Sequence, residues 1–94
     1  MLVQWYADIE EDESKIVGRL TEIVSETARA NHGKVLGGPY HPQENSLLYL
    51  LEFETPDAFQ KAGKASLDRI GRDGLAVVPM RYDIAYKCGE FGGP

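Results

Sequence analysis

Ninety-four residues with 43% apolar and 10% aromatic content suffice for one domain with a small core, and they exclude a disordered, collagen-like or multidomain chain. Fifteen acidic against ten basic side chains leave a net charge of -5, which repels phosphate backbones unless the basic residues gather on one face. One cysteine and two histidines can neither close an internal disulfide nor build a zinc site from those ligand types alone, and they point to a reducing, cytoplasmic compartment.

Leu2 to Ile9 reads as a strand rich in β-branched and aromatic residues, with Val3, Trp5, Ala7 and Ile9 on one face and Leu2, Gln4, Tyr6 and Asp8 on the other. The acidic run that follows, with no basic segment before it and no cleavage motif, argues against a secretory signal. No apolar stretch approaches the roughly 20 residues of a membrane span, so a soluble protein is expected. From about Asp12 to Asn31 the period becomes helical: Ile16, Leu20, Ile23, Val24, Thr27 and Ala28 share a face, and Asn31-His32-Gly33 closes the end. Lys34 to Gly37 is a short second strand, and the glycine and prolines of Gly38 to Asn45 mark a hairpin connection.

Leu47 to Glu54 is nearly continuous in apolar residues, which predicts a central strand with both faces covered and with Leu and Tyr side chains looking outward. Thr55-Pro56 supplies an N-cap and first helical residue. The second helix presents Phe59, Ala62, Gly63, Ser66 and Ile70 on one face and ends near Gly71 or Gly74. Leu75 to Lys87 contains the fourth strand, where Pro79 requires an edge position or a bulge. Its outward set is either Val78, Met80, Tyr82, Ile84 and Tyr86 or Val77, Arg81, Asp83 and Ala85. Residues 1–88 thus form one domain and 89–94 a glycine-rich tail. The order β-α-β-β-α-β predicts an α+β, ferredoxin-like fold: a four-stranded antiparallel sheet with two helices on one face. The other face then receives Tyr6 and Asp8 together with Leu and Tyr side chains of the third strand, a patch that a soluble monomer rarely leaves bare.

Few motifs carry chemistry. His41, in the loop between Tyr40 and Pro42, has the side chain best suited to proton transfer near neutrality. Asp8 is the other acid–base candidate. Tyr6, Asp8, Arg81, Tyr82 and Asp83 lie on neighbouring strands, where a carboxylate, a phenol and a guanidinium can orient an oxygenated ligand or form an ion pair that only sets register. His32 suits a helix C-terminus and Glu10 to Glu13 a helix N-terminus; the latter lacks the spacing of a calcium loop. Cys88 has no activating histidine beside it in sequence. Neither a P-loop nor a dinucleotide fingerprint is present. Lys61, Lys64, Arg69 and Arg72 make a modest basic strip, and the third strand lacks the aromatic signature of an RNA-recognition module.

The stretch Gly33-Lys34-Val35-Leu36-Gly37-Gly38-Pro39, then a polar turn, then Leu48 to Phe59 with its Glu52-Phe53 pair and Thr55-Pro56-Asp57, resembles the dimeric α+β barrel superfamily, in particular its YCII-related, EthD-like and antibiotic-monooxygenase-like branches. The YCII-related pattern carries a histidine in its first strand, where this chain has Gln4, Trp5, Tyr6 and Asp8. The resemblance implies a homodimer packed through its open sheet faces and a cavity for a small organic molecule. It also implies cofactor-free oxygenase, isomerase or lyase chemistry; the charge balance, the short apolar runs and the spacing of the acidic residues predict no nucleic acid, membrane or metal. Tyr6, Asp8, His41, Tyr49, Arg81 and Tyr82 are the expected pocket residues, with no catalytic assignment beyond His41 and Asp8. A non-catalytic regulatory or protein-interaction module is the alternative.

Overall fold

The computed structural model describes residues 1–86; Cys88 and the tail expected at 89–94 lie outside the described residues. The elements are β1 (Leu2–Ile9), α1 (Glu13–Ala30), β2 (Lys34–Tyr40), β3 (Ser46–Glu52), α2 (Pro56–Asp73) and β4 (Val77–Ala85). The strands form one antiparallel sheet in the order β2-β3-β1-β4, with both helices against one face. This is the ferredoxin-like α+β arrangement that the element order predicts.

Each helix begins and ends where local chemistry directs. Asp12 accepts from the Ser14 N–H at 3.1 Å to start α1, and Thr55 Oγ1 accepts from the Ala58 N–H at 3.1 Å to start α2 with Pro56 behind it. At the end of α1, His32 is left-handed (φ 61), and the Gly33 and His32 N–H groups return to the Ala28 and Arg29 carbonyls at 2.7 and 3.3 Å. Gly74 (φ 65) closes α2 the same way, with the Leu75 N–H on the Ile70 carbonyl at 3.1 Å. The two helices bury Ile16, Leu20, Ile23, Phe59 and Ile70 against β1 and β3. The ion pairs Arg19 to Asp73 at 2.6 Å and Arg69 to Glu26 at 2.9 Å tie the helices together at their exposed margins.

Partners across an antiparallel ladder share a face, so register assigns every side chain. Trp5 faces Tyr49, and Val3 faces Leu51; all four lie on the helix side. Tyr49 is fully buried there, which corrects the expectation that the tyrosine of this strand looks outward. Glu52 decides the phase, because the alternating set that contains a charged residue takes the open face. Leu48 and Leu50 accordingly lie on the open face with Tyr6 and Gln4, and they remain half-buried there.

β4 contains a bulge. Tyr6 pairs with Arg81 and Ala7 with Pro79, so Met80 is the extra residue. Val78, Arg81, Asp83 and Ala85 therefore share the open face, whereas Val77, Pro79, Tyr82 and Ile84 turn to the helices. Neither of the two sets expected from simple alternation is correct as a whole, because the bulge exchanges their halves.

β2 also runs further than predicted, through Gly38-Pro39 to Tyr40. As an edge strand it tolerates both residues, at the cost of two shifts in its register with β3. Gly38 has φ 104, and a Cβ at this position would stand 2.6 Å from the Leu48 carbonyl oxygen, so glycine is required by both conformation and space. Among the described residues no helix is long and apolar enough to cross a membrane.

Candidate functional site

The six candidate residues do not meet in one place. Tyr6 and Arg81 meet on the open face, where the guanidinium carbon lies 4.0 Å from the ring centroid and Arg81 Nη1 donates to Asp83 Oδ2 at 2.8 Å. Asp8 lies further along the same face and accepts from Ser46 Oγ at 2.8 Å. His41 lies at the end of β2 with both ring nitrogens engaged: Nδ1 is 3.0 Å from the Ser46 carbonyl oxygen and Nε2 is 2.7 Å from Glu13 Oε2. The ring pins the β2–β3 loop to the start of α1, and neither nitrogen is left open to take a proton from a bound molecule. The orienting partner that sequence alone does not supply is Glu13, distant in the chain.

Tyr49 lies on the helix side, its ring 6.0 Å from that of Trp5 and its hydroxyl 2.8 Å from Thr21 Oγ1. Burial pushes the Tyr49 phenol above its ordinary value, and the hydrogen bond to Thr21 partly opposes that rise. Tyr82 also faces the helices, packed edge-on against Phe59 at 4.8 Å. The open face and the helix side thus divide the expected pocket between them.

A better-formed concavity lies where β4 and α2 diverge. The bulge at Met80 and the turn of Tyr82 toward Phe59 leave a groove of about 500 Å³ along α2, within the range of small-molecule sites. Trp5, Phe59 and Tyr82 contribute aromatic surface, and Gln60 Nε2 donates to the Tyr82 hydroxyl at 3.4 Å across the groove. Leu67 and Met80 extend the apolar wall while being half or more exposed to solvent. A small apolar space of about 20 Å³ between sheet and helices lies behind it and shares Trp5, Phe59 and Gly63 as walls.

Arg81 and Tyr82 are the only expected pocket residues on this groove. Gln60, Lys64, Leu67 and Met80 are additional. Their signal is in the sequence nonetheless: Gln60, Gly63, Lys64 and Leu67 recur at helical spacing in a stripe beside the core stripe of Phe59, Ala62, Ser66 and Ile70. An exposed leucine in that second stripe marks a helix that is apolar beyond its core contact.

Among the described residues no group of three or more His, Cys, Asp and Glu side chains is placed to hold a metal ion. Comparison of the chain with protein-family models, with curated proteins and with solved structures found no match in any of the three.

Proposed function

We propose that this chain is a small-molecule-binding protein that holds an organic ligand in the groove between α2 and β4 and assembles as a homodimer through its open sheet face. The observation that carries the binding reading is the groove itself: about 500 Å³, with three aromatic rings on its walls, in a protein whose buried side-chain polar atoms among the described residues all have partners. A concavity of that size and composition loses solvent favourably when a flat apolar molecule enters. The dimer reading rests on the resemblance to the dimeric α+β barrels and on Leu36, Tyr40, Leu48 and Leu50 along β2 and β3, of which Leu36 and Tyr40 are about half exposed at 48% and 51%.

The resemblance also suggests cofactor-free chemistry. His41 and Asp8, the two acid–base candidates, are both held in hydrogen bonds that serve the loop and the strand, so the reading stays with binding.

The test is thermal denaturation of the purified chain against a set of small aromatic and alicyclic compounds, with light scattering on the same sample. Binding raises the melting temperature by an amount that grows with the logarithm of ligand excess over Kd. A set that leaves the transition unmoved overturns the binding reading, and a monomer at all concentrations overturns the dimer. A monomer would favour the second reading, a module whose open face receives a different protein, because the same exposed side chains then need another cover.

A further inference from the structure

The ten residues that line the α2–β4 groove include Lys64 and Arg81 and not one carboxylate, in a chain with a net charge of -5. A cleft lined by one sign of charge beside apolar walls concentrates ligands of the opposite sign. Arg81 is already committed to Asp83 and to the Tyr6 ring on the open face. Lys64 makes no ion pair among the described residues, although Asp68 stands one helical turn away, so its ammonium is the cation left for a ligand.

The second feature is Gly63. It stands in the interior of α2, where glycine is a poor helix former, and a Cβ built on it meets no heavy atom within 4 Å. Packing within the chain therefore does not demand glycine here. Gly63 borders both the groove and the small space behind it, so the missing side chain leaves helix backbone as part of the groove wall, beside Trp5 and Phe59. A flat ring can lie against such a wall, whereas a methyl group would stand in its place.

We propose that the groove selects flat aromatic carboxylates, with Lys64 meeting the carboxylate and Gly63 making room for the ring. The inference rests on the binding reading above and adds the ligand class and its two determinants.

Trp5 is the single tryptophan of the chain and lines the groove, so its fluorescence reports occupancy directly. The probes are 2-naphthoate and its neutral analogue 2-naphthylmethanol, titrated into the full chain and into the variants Lys64→Gln and Gly63→Ala. The expected result is quenching of Trp5 by both probes, with 2-naphthoate bound about tenfold or more tightly than the alcohol. Lys64→Gln then removes that preference, because 2-naphthoate loses about tenfold more affinity than the alcohol does. Gly63→Ala raises the melting temperature of the free protein yet weakens both probes about tenfold, a combination that a damaged fold does not produce. Equal affinity for the two probes, or an undiminished preference in Lys64→Gln, overturns the carboxylate assignment while the binding reading stands. Unchanged affinity in Gly63→Ala overturns the role of Gly63. If neither probe reaches Trp5, the groove reading fails, and this inference fails with it.

Discussion

The Ser66 hydroxyl lies 2.7 Å from the Thr27 hydroxyl where α2 packs on α1, and Thr27 donates its own proton to the Ile23 carbonyl at 2.8 Å. Ser66 is therefore the donor and Thr27 the acceptor, which makes the pair asymmetric. Ser66→Ala leaves Thr27 bonded to its helix and should cost only about 0.5–1.5 kcal/mol. Thr27→Val strands a buried hydroxyl and should cost more, about 1–3 kcal/mol. In a double-mutant cycle by urea denaturation, the double variant should be less destabilised than the sum of the two. Strict additivity would mean that the hydroxyls do not interact.

The left-handed residue that ends α1 is a histidine, although the flanking hydrogen bonds are those a glycine usually completes. A side chain in this region carries a backbone penalty, part of which glycine repays in the unfolded state. His32→Gly is therefore expected to stabilise the fold by about 0.5–1 kcal/mol. Thermal denaturation decides it, and a lowered midpoint would show that the imidazole contributes contacts worth more than the strain.

Two glycines should respond in opposite senses to alanine. At Gly38 the positive φ and the Leu48 carbonyl both oppose a Cβ, and Gly38→Ala should cost about 2–4 kcal/mol, with disturbance of β2. Gly18 is exposed within α1 and a Cβ there meets nothing within 4 Å, so Gly18→Ala should gain about 0.5–1 kcal/mol. The pair measured in one denaturant series separates steric need from helix propensity; similar effects at both sites would contradict it.

Burial raises the Tyr49 phenol above its ordinary value of 10.0. The unfolded chain therefore ionises this group first, so the contribution of Tyr49 is fully present below about pH 10 and is lost as pH rises from there through the folded value. Stability of the parent chain should fall with a steeper slope above pH 10 than that of Tyr49→Phe, which has no phenol to ionise. At pH 7 the variant should lose about 0.5–1.5 kcal/mol through the missing bond to Thr21. Parallel alkaline limbs for the two proteins would refute the assignment.

The fold was legible because its signals are periodic and local. The Thr55-Pro56 start of α2 and the face of α1 built from Ile16, Leu20, Ile23 and Val24 read directly from spacing and capping chemistry. What escaped was phase. Between its ends β3 is apolar on both sides, so only the charge of Glu52 at its last position and the pairing with Trp5 choose between Leu48 and Tyr49 as the outward residue. In β4 the bulge at Met80 reverses the alternation halfway, and Pro79 announces an irregularity without saying which residue is extra. The candidate site was less legible than the fold. The contacts that define it, Phe59 and Gln60 on Tyr82, join residues 23 and 22 positions apart, and no periodicity encodes such meetings.

The prolines of the two outer strands bear on how molecules of this chain can meet. Pro39 and Pro79 sit on opposite borders of the sheet, each beside a break in register, and each withdraws one amide donor from the border it occupies. A neighbouring chain that tried to continue the hydrogen-bonded ribbon would find a missing rung and a local kink on either side. Fibre-like growth by ribbon extension is disfavoured at both borders, which leaves the face between them, where Tyr6, Leu48 and Leu50 lie beside Asp8, Arg81 and Asp83, as the sheet surface open to a second chain.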